Sequence, residues 1–287
     1  MVRKAVIPAA GLGTRLLPVT KTVAKELLPV GSRPSIEYVV EEAVEAGVEE
    51  VIFVLSPRKK ELVDYFRPNA GVDTLLADHS QYHILDYLYD RFAKTSFKVV
   101  IQNQARGLGH AVACAREAVG NEAFLVLLPD DLIYTDTAPS VSKQMIDVYR
   151  RYPKQSLVAL FEVPEAQIPA YGIAAGEAID TRVYRVNHLV EKPPIAQAPS
   201  RLAVVGRYLL SPAIFPFLLQ ETTGALGEIQ LTDALCDLAK TGALLGYCFN
   251  GRRFDVGTPS GLAIASIFYQ RHNPDIRAFI KELATTL

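Results

Sequence analysis

The chain has 287 residues, 49% of them hydrophobic and 21% charged, a composition typical of globular proteins. Its formal net charge is −1 and its Lys and Arg are scattered, so it lacks the basic stripe that marks nucleic-acid or anionic-membrane binders. The cysteines, Cys114, Cys236 and Cys248, are odd in number and lack CxxC spacing, which argues against a disulfide framework or a thiolate zinc site.

The opening MVRKAVIPAAG runs into strand-like sequence without an apolar signal segment, and the longest apolar runs, such as Ala123 to Leu128, are too short to span a bilayer. A cytoplasmic protein without membrane or nucleic-acid partners is expected. Lys4 to Ala10 reads as a buried strand ending at Gly11. Ser35 to Ala46 carries Ile36, Val39, Val40 and Ala43 at helical spacing, with Gly47 as the stop. Strands follow at Val51 to Leu55 and Lys98 to Gln102, then a helix with Ala111, Val112, Ala115, Ala118 and Val119 on one face. Phe124 to Leu128 is a strand that runs into Pro129, Asp130 and Asp131. This βαβα alternation implies an α/β protein with a Rossmann-like, mostly parallel mixed sheet and helices on both faces. Past it come strand-like runs at Leu157 to Val163, Gly172 to Ala175, Arg182 to Val190 and Leu202 to Leu210, forming a smaller β-rich part. Helical patterns return at Leu231 to Lys240, Pro259 to Arg271 and from Pro274 onward. The Tyr- and Asp-rich stretch from Val72 to Lys94 has no clear period.

Several short segments suit phosphate and sugar chemistry. GLGTR, Gly11 to Arg15, follows a strand; its glycines either make a simple turn or let backbone N–H groups approach phosphate oxygens, where Arg15 adds a planar cationic fork. Leu16 stands where a dinucleotide fingerprint needs a third Gly, and no Gly-Lys-Ser/Thr makes a Walker loop. Lys25, one loop away in KELLP, can supply a second point charge, or can be a solvated surface lysine. Asp130 at a strand end, and Asp255 in RFDVGTP, are carboxylates of the kind that hold Mg²⁺ together with substrate phosphates; either can also be a cap or turn residue. VEKP places Glu191 and Lys192 at another strand end, where Glu suits hydroxyls and Lys a phosphate, or where the two form an exposed ion pair before a Pro turn. In GEIQLTD, helix capping accounts for Thr232 and Asp233 but not for Glu228. The five histidines show no paired ligand spacing, and no zinc site or covalent nucleophile stands out.

In their order, the segments IPAAGLGTRLLPVTK, KELLPV, GLGHAV, LLPDD, AYG, VEKP, VVGRYLLS, GEIQLTDAL and FDVGT resemble the bacterial UTP–glucose-1-phosphate uridylyltransferases, of the sugar-nucleotide pyrophosphorylase family, over essentially the whole length. The resemblance implies a single nucleotidyltransferase domain, with a mainly nucleotide-binding half over 1–135, a mainly sugar-phosphate-binding half over 136–260 and C-terminal helices over 261–287. It implies that UTP and glucose 1-phosphate give UDP-glucose and pyrophosphate with Mg²⁺ as cofactor, in a homo-oligomer, dimer or tetramer. Carried over position by position, Ala10, Gly11 and Gly13 wrap the nucleotide, with Arg15 and Lys25 on the triphosphate. Gln102 reads the uracil edge and Gly107 packs near the base. Asp130 and Asp255 hold the metal, with Asp131 as a support. Gly172, Glu191 and Glu228 contact the glucose, and Lys192, with Arg15 and Lys25, serves catalysis by holding phosphate. One departure is Ile101, where many members carry Arg before the Gln. The competing expectations are a thymidylyl- or broad-specificity transferase and a non-catalytic sugar-nucleotide-binding regulator; a dehydrogenase is disfavoured by Leu16.

Overall fold

The computed structural model describes residues 2–80, 82–219 and 228–286. In chain order the strands are β1 (Lys4–Pro8), β2 (Pro29–Val30), β3 (Arg33–Pro34), β4 (Glu50–Leu55), β5 (Ser96–Ile101), β6 (Phe124–Leu127), β7 (Asp131–Tyr134), β8 (Ser156–Glu162), β9 (Gly172–Asp180), β10 (Val183–Glu191), β11 (Leu202–Leu210), β12 (Leu244–Cys248) and β13 (Arg252–Asp255). Nine of them form one sheet in the order β5-β4-β1-β6-β11-β8-β12-β10-β9; β13 pairs with β7, and β2 with β3, in two small ribbons.

Side chains alternate across the central strands, so each strand supplies both cores. Ala5, Ile7, Val51, Phe53, Leu55, Leu125 and Leu127 point to one side. Val6, Ile52, Val54, Phe124 and Val126 point to the other. The first face is covered by the helices Ser35–Glu45 and Val141–Arg151, through Ile36, Val39, Val40, Met145 and Val148. The second is covered by Leu108–Cys114 and Leu231–Lys240, through Ala111, Val112, Leu235 and Leu238. This is a mixed α/β architecture with helices on both faces of the sheet.

The sheet departs from mostly parallel. β5, β4, β1 and β6 run parallel, as do β8 and β12, but β11 is antiparallel to both β6 and β8. β10 is antiparallel to β12 and to β9, so among the described residues half of the neighbour pairings are antiparallel. For β9 and β10 the physical reason is chain length: only Thr181 and Arg182 separate them, and a connection that short permits only a hairpin. The start of β11 also pairs with β9, Leu202 opposite Ala174, which curls this end of the sheet. The helix expected over 111–119 is two short ones, Leu108–Cys114 and Arg116–Val119, meeting at Ala115.

Candidate active site

Parallel strands that end together leave a crevice beyond their carboxyl ends. Here β1 delivers the Ala9–Gly13 loop, β5 delivers Gln102 and β6 delivers Asp130 to that edge. The loop is tied down from behind by a pair that sequence reading passed over. Lys59 Nζ donates to the carbonyls of Ala9 at 3.0 Å and Gly11 at 2.5 Å, and to both oxygens of Glu26 at 3.0 and 2.8 Å. Both side chains are buried. Their signal was faint: a Lys and a Glu lying 33 residues apart in segments that look like solvated loops. Gly13 sits at φ 68°, with Lys25 directly beneath it.

Four charged groups meet at the loop's far side. Lys25 Nζ donates to Asp130 Oδ2 at 2.6 Å. Arg15 reaches across, its Nη2 4.0 Å from the same oxygen and its Nη1 3.8 Å from Asp255 Oδ2. Burial disfavours both charges of the Lys25–Asp130 pair, yet the neighbouring charges and hydrogen bonds, the partner's foremost, together outweigh it. The Asp130 carboxyl is held below the usual range and the Lys25 ammonium above its own. Asp255 arrives on β13, whose pairing sets it opposite Asp131 on β7. A Cβ on Gly257 would stand 2.7 Å from Arg15 Nη2, 3.1 Å from Asp255 Oδ1 and 3.2 Å from Asp130 Oδ2. The glycine therefore keeps open the point on which the two carboxylates converge. Two carboxylates with room beside them for phosphate oxygens fit a hard divalent cation. Among the described residues no cluster of three or more His, Cys, Asp or Glu gathers as a metal cage. Such an ion would take its remaining ligands from substrate and water.

Asp131 faces away from that point. Its Oδ2 accepts the Gly206 N–H at 2.8 Å and its other oxygen meets Arg253. Burial lifts its carboxyl above the usual value in spite of that guanidinium. Arg253 in turn donates to the Tyr171 hydroxyl at 2.8 Å, joining the aspartates to the adjoining cavity. That cavity measures about 520 Å³ and is lined by Arg15, Asp130, Asp255, Gly172, Glu191 and Lys192, among others.

β9 and β10 place Gly172 directly opposite Glu191. Glu191 Oε2 accepts from Thr232 Oγ1 at 2.6 Å. Thr232 is thus not a cap: the helix Leu231–Lys240 begins after Gln230 with no side-chain cap bond, and the threonine hydroxyl turns to the cavity instead. Lys192 bends out of β10 at φ 46°, with its amide held by the Tyr171 carbonyl at 3.0 Å and its ammonium largely exposed, 3.7 Å from Glu191 Oε1.

The remaining candidates lie on the other side. Gly107, at φ 94°, starts the helix Leu108–Cys114, and a Cβ there would meet the Ile229 carbonyl at 2.8 Å. Glu228 sits against Gly107 and accepts from Gln230 Nε2 at 3.0 Å, outside the cavity's lining. Gly227, which opens the GEIQLTD segment, lies outside the described residues. Gln102 is buried beside Gly107.

This crevice has known counterparts. A family model described as nucleotidyl transferase matches residues 4–272. The chain is 40% identical over 276 residues to the Bacillus subtilis protein named UTP–glucose-1-phosphate uridylyltransferase, covering 96% of this chain and 94% of that one. It superposes with TM-score 0.86 and 41% identity on a UDP-glucose pyrophosphorylase complexed with UDP-glucose, over 95% of this chain and all of the other. It superposes with TM-score 0.89 and 38% identity on the UTP-bound enzyme of Acinetobacter baumannii, over all of both chains. With its crevice, its two converging aspartates and a match running from the first strand to beyond the thirteenth, the chain belongs to the nucleotidyl transferase family.

Proposed function

We propose that this chain transfers a uridylyl group from UTP to glucose 1-phosphate, giving UDP-glucose and pyrophosphate. The observation that carries the reading is the convergence of Asp130, Asp255, Arg15 and Lys25 at the mouth of the cavity that holds Glu191, Thr232 and Lys192. The names of the B. subtilis relative and of the UDP-glucose and UTP complexes support the choice of substrates. The whole sheet serves one domain, with the nucleotide bound over 1–135 and the sugar phosphate over 136–260.

An oxygen of the sugar phosphate attacks the α-phosphorus of UTP, and the bond to the β-phosphate oxygen breaks, its electron pair leaving with pyrophosphate. The attacking oxygen is already ionised, so no general base is needed, and the work is positioning and charge stabilisation. The backbone of Ala10, Gly11 and Gly13 wraps the nucleotide, Arg15 and Lys25 bind the triphosphate, and Gln102 with Gly107 receives uracil. Gly172 and Glu191 bind glucose from within the cavity, Glu228 would reach it from the Gly107 side, outside the cavity's lining, and Lys192 binds the phosphate of glucose 1-phosphate. Asp130 and Asp255 would hold Mg²⁺, which supplies charge neutralisation for the phosphoryl oxygens. We place the enzyme in the cytoplasm; its three cysteines are free, and among the described residues no helix is long and apolar enough to cross a membrane. We expect a dimer or tetramer, since Phe279, Ile280 and Leu283 are exposed along a terminal helix that buries no residue.

Pyrophosphate release assayed with a panel of nucleoside triphosphates and sugar 1-phosphates tests the reaction. UTP with glucose 1-phosphate should be the best pair, with CTP and ATP rejected and dTTP accepted appreciably, because Ile101 stands where many relatives carry Arg. Release with no pair above background would overturn the reading. Calorimetry with each ligand alone separates the two lysines. Lys192→Ala should weaken glucose 1-phosphate more than UTP, and Lys25→Ala the reverse. Equal effects on both ligands would remove that division of labour.

A further inference from the structure

Gln102 is only 5% exposed and its side chain is anchored at one end. Its Nε2 donates to the Gly107 carbonyl at 3.4 Å and lies 2.8 Å from His110 Nδ1. A carbonyl oxygen can only accept, so the amide nitrogen, not its oxygen, faces Gly107. The second hydrogen of that nitrogen then points at His110 Nδ1, which must be the bare nitrogen of a neutral ring protonated on Nε2. Burial and the nearby Arg106 hold the ring below its ordinary pKa against the opposing pull of the Gln104 backbone, which agrees with a neutral imidazole. His110 Nε2 is turned to Cys114 Sγ, 3.8 Å away.

We propose that His110 is a positioning residue for base choice: by accepting from Gln102 it fixes the amide so that Oε1, an acceptor, is the group left for the nucleotide base. This rests on the assignment of Gln102 to uracil made above. Uracil N3 carries a hydrogen that can donate to Oε1, whereas cytosine N3 carries a lone pair that opposes it. The glutamine thus offers the base an acceptor only, because both amide hydrogens are engaged inside the protein. Discrimination then depends on which way the amide points, and the long contact to Gly107 is by itself a weak lock. Without the acceptor on His110 the amide can turn over and present N–H to cytosine N3.

The test is kcat/KM for UTP and for CTP in four forms of the full-length enzyme, with thermal melts alongside. His110→Leu should lower the UTP:CTP ratio by about tenfold, the scale of one hydrogen bond of discrimination. His110→Asn, whose side-chain oxygen can take the place of Nδ1, should keep the ratio within about threefold of the parent. An equal loss with both nucleotides in His110→Leu, leaving the ratio unchanged, would overturn the proposal and make His110 structural. Gln102→Ala separates the two levels. If it leaves the ratio intact, the uracil assignment itself is wrong. If it collapses the ratio while His110→Leu does not, only the role of His110 is lost. Should His110→Leu fail to fold, ¹⁵N NMR of the histidine-labelled parent protein decides: bare Nδ1 with protonated Nε2 supports the proposal, and the opposite tautomer overturns it.

Discussion

Asp255→Asn should lower the rate of pyrophosphate release by about two to three orders of magnitude, the usual cost of removing one group that stabilises developing charge. The asparagine keeps the shape of the side chain and can keep the bond its oxygen accepts from the Gly257 N–H at 3.0 Å, so the β13 turn should survive. What it loses is one of two negative charges aimed at a common point. Raising Mg²⁺ should recover part of the rate in this variant. Asp130→Asn should be as slow and also less stable, because it leaves the half-buried Lys25 ammonium without its 2.6 Å partner. Near-parental activity of Asp255→Asn at limiting Mg²⁺ would mean that the metal is held elsewhere.

The second large effect is expected behind the loop. Lys59→Met should cost about 3–5 kcal/mol of stability, because it strands the buried Glu26 carboxylate as an uncompensated charge. It also removes the donor shared by the Ala9 and Gly11 carbonyls. For a chain of this size the loss should appear as a fall in Tm of about 10 °C. Pairing it with Glu26→Gln should restore part of the stability, since the double variant leaves no lone charge. UTP binding should weaken in both, as the glycine loop loses its tether. A single variant within about 1 kcal/mol of the parent would show that water replaces the ammonium there.

Fold and site were legible to different depths for physical reasons. Strands buried on both faces, such as β1, β4 and β6, read as unbroken apolar runs, and Leu202–Leu210 was found with its bounds. The helix Val141–Arg151 went unread although Val141, Met145, Ile146 and Val148 are buried, because Gln144 and Ser142 share that face. They can do so because partners satisfy them: Glu42 takes Ser142, and the Pro139 and Asn250 carbonyls take Gln144. The pairing of β7 with β13 was equally hidden, for it joins segments more than a hundred residues apart through four residues each. At the site, Arg15, Asp130, Asp255, Glu191 and Lys192 are legible as charged residues near strand ends and line one cavity, while Lys25, in a loop, joins them only through its ion pair with Asp130. Lys59, Arg253 and Thr232 are not legible, because their parts are set by partners that only the folded chain brings near.

The antiparallel strand β11 has a consequence for the order in which this protein can be made. Among the described residues it is the sole link of the sheet between β6 and β8, and it comes from residues 202–210, after both of its neighbours have been translated. A nascent chain that stops before it can pair β5, β4, β1 and β6, but it carries an open β6 edge. Unpaired edges of that kind are where emerging chains stick to one another. Asp255 is translated later still, so a truncated product can hold the glycine loop and Asp130 while lacking the second carboxylate. With Asp255 proposed as a metal ligand, catalytic competence would wait until translation has passed residue 255.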